Sequence, residues 1–114
     1  MADKTIFARI IDREIPARIV FEDDQVLAFH DVNPQAPVHV LVIPKRAIDR
    51  IENMKPSDAP LLGHMVWAAT EVARTLKLND GYRVVINNGE HAGQSVFHIH
   101  VHLLGGRHLG WPPG

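Results

Sequence analysis

The chain has 114 residues, 46% hydrophobic and 22% charged, which suits one globular domain with a real core and excludes both a two-domain protein and a disordered chain. It contains no cysteine, which excludes a disulfide scaffold, a thiolate metal site and cysteine catalysis. Twelve basic residues against thirteen acidic ones give a formal charge of -1, so there is no electrostatic footprint for nucleic acid or an anionic membrane.

The opening Met1-Ala2-Asp3-Lys4-Thr5 lacks the apolar core of a secretory signal, and no stretch approaches the roughly 20 apolar residues that cross a bilayer, so the cytoplasm is the expected location. Thr5 to Arg13 reads as a short helix with Thr5 as N-cap, and Pro16 closes it. Arg18 to Glu22 and Val26 to Asp31 read as a hairpin around the polar turn Glu22-Asp23-Asp24-Gln25. Asn33-Pro34-Gln35-Ala36-Pro37 is a loop, since neither proline suits a central strand. Val38 to Ile43 is a β-branched run that predicts a buried strand ended by Pro44. A short helix is expected over Arg46 to Met54. Ser57 is the expected N-cap of the longest helix, which runs to Leu78 and carries the apolar stripe Leu61, Leu62, Met65, Val66, Ala69, Val72, Ala73 and Leu76. Asn79-Asp80-Gly81 is its stop signal. Tyr82 to Ile86 predicts a strand, Asn87 to Gln94 a polar loop, and Val96 to Leu104 the last strand. The tail, Gly105 to Gly114, carries an exposed Trp111. Strands in runs joined by short turns indicate α+β with a mostly antiparallel sheet.

Eight residues are histidine, about three times the usual share for this length. Three of them alternate in Val96-Phe97-His98-Ile99-His100-Val101-His102-Leu103-Leu104. On a strand the imidazoles then share one face, while Phe97, Ile99, Val101 and Leu103 point to the core. His39 opens another strand and can join the same face. Three crowded imidazoles burden a core, because each needs partners for two ring nitrogens and each depresses its neighbours' basicity. His64 on the long helix reads as an ordinary satisfied polar residue. His30, His91 and His108 lie in or beside loops and carry no chemistry by spacing alone.

Two chemistries compete for the cluster. Histidines two apart on a strand, with a third from elsewhere, can hold zinc with one position open. Alternatively, an imidazole can act as nucleophile. The loop Asn87-Asn88-Gly89-Glu90-His91-Ala92-Gly93-Gln94-Ser95 runs into the histidine strand and favours the second. Its glycines let backbone amides approach an anion, and its Asn and Ser add donors, which suits a phosphate. Zinc would want carboxylates in support, and only Glu90 is nearby.

The segment His98-Ile99-His100-Val101-His102-Leu103-Leu104 is a complete match to the pattern that names the histidine triad family, which this chain resembles. Arg13-Glu14-Ile15-Pro16-Ala17, Leu27-Ala28-Phe29-His30-Asp31, Val42-Ile43-Pro44-Lys45, Gly93-Gln94-Ser95-Val96, Gly105-Gly106-Arg107 and the tail Trp111-Pro112-Pro113-Gly114 extend the resemblance to its nucleotide-binding (Hint) branch over nearly the whole chain. Asn33 departs from it mildly, standing where many relatives have Ser.

The resemblance implies a five-stranded antiparallel sheet with one long and one or two short helices, joined to a second sheet across a homodimer. It implies hydrolysis of adenosine 5'-phosphoramidates, including AMP-lysine and aminoacyl-adenylates, with no metal and no cofactor. His100 would be the nucleophile, His102 would contact the leaving amine or phosphate and help proton transfer, and His98 and His39 would orient the cluster. Asn87, Gly93, Gln94, Ser95 and Val96 would hold the phosphate, and Asp31 the ribose hydroxyls. Ile6, Phe7, Ile10, Phe29, Val32 and Leu41 would line the purine pocket. His30 falls in the same binding stretch, and Trp111 would reach toward the partner's site. Partners would be purine nucleoside monophosphates and phosphoramidates, not nucleic acid or membrane. The rival reading is a non-catalytic nucleotide-sensing or scaffold module, which would show erosion of the triad or of Ser95; neither is seen.

Overall fold

The computed structural model describes residues 4–114, so Met1, Ala2 and Asp3 of the stretch read for a leader lie outside the described residues. Helix α1 spans Ile6–Ile11, and it starts where expected because the Thr5 side chain accepts the Ala8 N–H at 3.1 Å. It ends short of Arg13, whose positive φ of 62° turns the chain out of the helix.

The strands are β1 (Ile19–Glu22), β2 (Val26–His30), β3 (Val38–Pro44), β4 (Tyr82–Val85) and β5 (Val101–Gly105). The β1–β2 turn is tied by Asp23, whose carboxylate accepts the Gln25 and Val26 N–H groups at 2.8 Å each. The sheet order is β1-β2-β3-β5-β4, and every neighbouring pair is antiparallel. The expected α+β architecture is therefore the observed one.

Helix α2 (Ala59–Thr75) packs on one face of the sheet. Its stripe Met65, Ala68, Ala69, Val72 and Ala73 closes over Val26, Ala28, Val40, Val42, Val101 and Leu103, all buried. Three alanines in that stripe let the helix axis approach the sheet closely. Ser57 is not its cap. The chain makes a tight turn over Pro56–Asp58, and the Asp58 carboxylate, which accepts the Lys55 N–H at 2.8 Å and pairs with Arg46, anchors the start. The helix also ends before Leu78. Lys77 takes the left-handed conformation and Leu78 N–H reaches back to Ala73 O, a Schellman closure that precedes the glycine read as the stop.

Two further expectations need correction. Arg46 to Met54 contains only a short turn, Ile51–Asn53, rather than a helix. The last strand begins at Val101, not Val96. Val42 is the partner of Val101, and two residues beyond it Pro44 offers no N–H, while its carbonyl is taken by the His98 ring. Ile99 N–H turns instead to Ile48 O at 2.8 Å. Phe97 consequently stays 42% exposed, with the Arg50 guanidinium 5.6 Å from its ring, and does not enter the core.

The sheet face opposite α2 is only half covered. Phe7 and Ile10 of α1 pack over Leu27, Phe29, Leu41 and Ile43. The histidines lie beside this second core, against Phe7 in the first turn of α1. No helix among the described residues is long and apolar enough to cross a membrane.

Candidate functional site

The alternation that the sequence suggested survives the shorter strand. Ile99, Val101 and Leu103 belong to the core under α2, while His98, His100 and His102 turn the other way. Phe7 stands edge-on to His98 and His100, with ring centroids 6.1 and 5.0 Å away, so α1 walls the cluster. His39 joins it diagonally across β3 and β5, its Nε2 lying 2.9 Å from His102 Nδ1.

The partners of each ring assign its proton. His98 Nε2 is 2.8 Å from Pro44 O, and His100 Nδ1 is 2.8 Å from His98 O. A carbonyl only accepts, so both nitrogens carry hydrogen. The lone pair of His100 is therefore on Nε2. At His39 the logic reverses. The Gln35 backbone N–H points at Nδ1 from 3.0 Å, so Nδ1 is the acceptor and the proton sits on Nε2. His39 Nε2–H then donates to His102 Nδ1, which leaves the His102 proton on Nε2. That atom is cut off from solvent and has no partner among the described residues.

Burial disfavours the charged form of every member. It lowers the pKa of His39, His98 and His100, and brings His102 down to about 4, with His100 and His39 adding to the effect and Asp31 opposing it. Near neutral pH the cluster is a row of uncharged imidazoles. Asp31 sits at its edge. One carboxylate oxygen accepts the Asn33 N–H at 2.9 Å, and the other lies 3.4 Å from His39 Nε2.

Asp31, His39 and His102 offer three potential metal-ligating atoms within 4.8 Å of one another. The donor set does not suit a cation. With Nδ1 of His39 receiving an amide hydrogen, Nε2 bears the proton and presents no lone pair.

The loop before the cluster is built around the Gln94 side chain. Gln94 is 2% exposed; its Oε1 accepts the Gly89 N–H at 2.8 Å, and its Nε2 donates to Asp49 O and Val96 O at 2.7 and 3.1 Å. A glutamine between two glycines and a serine was the available signal. Gly93 has a φ of 101°, and a side chain there would meet Asn87 Nδ2 at 3.6 Å, so Asn87 and Gly93 are neighbours across the loop. Ser95 is exposed at its end and Val96 half-buried.

The other expected binding residues divide into two groups. Phe7, Ile10, Phe29 and Leu41 are buried together and form a floor. His30, Asp31 and Val32 line a cleft of about 490 Å³ with Pro16, Ala17, Arg18 and Pro34. Ile6 and Val32 are solvent-exposed, at 52% and 99%. Trp111 is also exposed, and the tail beside it is tethered by Arg83, which donates to Gly110 O at 2.6 Å. His64 is satisfied as expected, its Nε2 lying 2.7 Å from Asp23 and its ring stacked on Trp67. Two groups that order the cluster, the Gln35 amide and the Pro44 carbonyl, are backbone atoms and left no mark in the sequence.

A five-stranded antiparallel sheet under one long helix, with a row of neutral imidazoles at its end, defines the class of protein. The model of the HIT domain matches residues 12–109. An uncharacterized HIT-like protein from Synechocystis sp. is 59% identical over the full length of both chains. A HIT family hydrolase from Legionella pneumophila is 46% identical and superposes with a TM-score of 0.94 over 97% of this chain and 100% of that one. A histidine triad nucleotide-binding protein from Candida albicans is 34% identical, with a TM-score of 0.81 over 96% of this chain and 83% of that one. The chain belongs to the HIT family.

Proposed function

We propose that this protein hydrolyses the P–N bond of purine nucleoside 5'-phosphoramidates, such as AMP-NH₂ and AMP-lysine, through a nucleotidyl-histidine at His100. The observation that carries this reading is the His100 tautomer: Nδ1–H is held by the His98 carbonyl, so a neutral imidazole keeps its lone pair on Nε2. In the first step Nε2 bonds to the α-phosphorus and the P–N bond breaks, its electron pair leaving on nitrogen, which takes up one proton. In the second step water attacks phosphorus, the N–P bond returns its pair to His100, and the proton of the attacking water is released. Loop amides and Ser95 donate to the phosphoryl oxygens, and pre-aimed donors of this kind typically contribute about 10² to 10³ each in rate. Asp31 accepts from the ribose hydroxyls, and the floor of Phe7, Ile10, Phe29 and Leu41 supports the base.

The Legionella and Candida relatives, described as a hydrolase and a nucleotide-binding protein, support the same assignment. We place the working unit as a homodimer, with the open outer edge of β4 as the seam and Trp111 reaching the partner's site. The test is turnover of adenosine 5'-phosphoramidate in excess chelator, with acid-labile adenylyl-protein trapped. His100→Ala is expected to abolish turnover and adduct while keeping AMP binding. Near wild-type activity in that variant would remove His100 as nucleophile. Nucleotide binding without turnover in the wild type would make the protein a sensor.

A further inference from the structure

We propose that Asn88–Gly89 is a latent deamidation site at the start of the loop before the histidines, held shut by the Gln94 side chain and the Glu52 backbone amide. Ring closure between the two residues converts Asn88 to aspartate or isoaspartate and puts a carboxylate into that loop. The site stands on the loop geometry alone; its effect on nucleotide binding rests on the phosphate role proposed above.

The chemistry needs an asparagine followed by a backbone nitrogen that no side chain obstructs. Of the chain's asparagines only Asn88 precedes a glycine. The fold forbids another residue at that glycine, because Gly89, with φ 91° and ψ 162°, occupies a region that essentially only glycine enters. The loop conformation therefore obliges a labile pair. In the closing step the Gly89 nitrogen loses its proton to water and bonds to Asn88 Cγ. The Cγ–Nδ2 bond breaks, its electron pair leaves on Nδ2, and that nitrogen takes up a proton and departs as ammonia. Water then adds to either carbonyl of the cyclic imide and opens it. One opening gives aspartate. The other gives isoaspartate, which routes the main chain through the former side-chain carbonyl and lengthens it by a methylene.

Both reacting groups are engaged elsewhere. The Gly89 N–H donates to Gln94 Oε1 at 2.8 Å, and the Gln94 N–H donates back to Gly89 O at 3.1 Å, so the two residues clasp each other. Gln94 is buried, and its Nε2 is fixed by Asp49 O and Val96 O, so Oε1 cannot follow Gly89 when that peptide turns. Asn88 Oδ1 accepts the Glu52 N–H at 3.1 Å, which ties the carboxamide to the Ile51–Asn53 turn. Ring closure takes away the hydrogen that Gln94 holds and draws the Asn88 side chain off the Glu52 amide. Breaking one such bond slows closure by about tenfold. Asn88 is only half-buried, so water reaches the pair once the clasp opens.

The experiment incubates the full chain at mildly alkaline pH, folded or unfolded in urea, and follows Asn88 by peptide mass mapping, with enzymatic methylation to count isoaspartate. The folded wild type is expected to deamidate at Asn88 about 10² more slowly than the unfolded chain, since two hydrogen bonds oppose closure. Equal rates in the two states would overturn the proposal, and this comparison needs no variant to fold. Gln94→Met fills the same space without the acceptor and is expected to speed the folded-state rate about tenfold. An unchanged rate there would remove Gln94 as the latch. Thr5→Ala loosens α1 and not this loop, so its Asn88 rate is expected to match wild type; an equal acceleration would assign the effect to global unfolding. Asn88→Asp reads the consequence, and is expected to weaken AMP binding about fivefold at low salt. Unchanged affinity would overturn the effect on the site. Absence of AMP binding in the wild type would overturn the phosphate reading and not the deamidation.

Discussion

Burying uncharged histidines makes the fold sensitive to mild acid, and His102 gives the sharpest measure. Its pKa falls from 6.5 to about 4, chiefly through burial. The unfolded chain therefore binds more protons than the folded one between these values, and stability drops as pH falls through that window. Above 6.5 both states are neutral and nothing is lost; below 4 both are charged and the loss is complete. The full shift corresponds to about 3 kcal/mol, of which about 2 kcal/mol is already lost between about pH 7.5 and about pH 5. Stopping near pH 5 keeps the result clear of the carboxylates whose folded pKa values are lowered, Glu22, Asp23, Asp49 and Asp58, since their contribution disappears further down. The assay is urea unfolding at fixed protein concentration at the two pH values, for wild type and His102→Gln. The remaining histidines with lowered pKa, His30, His39, His98 and His100, act in both proteins and cancel to first order. Wild type is expected to lose about 2 kcal/mol more than the variant across the window. An equal loss would show that the His102 ring is not held neutral by its surroundings, and the electrostatic account of the cluster would fail.

Three further outcomes are expected. Met65→Ala empties a fully buried position between α2 and the sheet and is expected to cost about 2 to 5 kcal/mol in chemical denaturation, with catalysis intact until unfolding. Thr5→Ala removes the cap of α1 and is expected to cost about 1 kcal/mol; because α1 carries Phe7 and Ile10, the KM for nucleotide substrates should rise more than kcat falls. Gly106→Ala pushes against Pro37 and forces a side chain into a left-handed conformation, so it is expected to cost about 1 kcal/mol or more in chemical denaturation.

Much of this was legible before folding was considered. The alternation from His98 to His102 marked the site because period two is a property of extended chain, although the ladder itself begins only at Val101 and Val96 to His98 form a bend. That distinction explains the misplaced strand start: β propensity says that Val96 to His100 is extended, but only a neighbour with free N–H and C=O groups makes it a strand, and Pro44 denies one. The misread start of α2 has the same origin. Ser57 looked like a cap by residue type, yet Asp58, one position on, had the geometry to hold Lys55 and Arg46. Phe97 was assigned to the core by parity, and lost that place once the chain before Ile99 turned toward Ile48.

The sequence by itself determined the α+β class, the antiparallel hairpins, the apolar stripe of α2, and the set of four histidines beside a glycine-rich loop, because local periodicity and side-chain chemistry are written residue by residue. Only the tertiary structure decided which nitrogen of each histidine carries a proton. That choice belongs to backbone groups, the Pro44 and His98 carbonyls and the Gln35 amide, whose direction no side-chain pattern encodes: Pro44 O meets its ring from 54 residues away, while His98 O and the Gln35 N–H reach rings two and four residues along only because the folded backbone bends there.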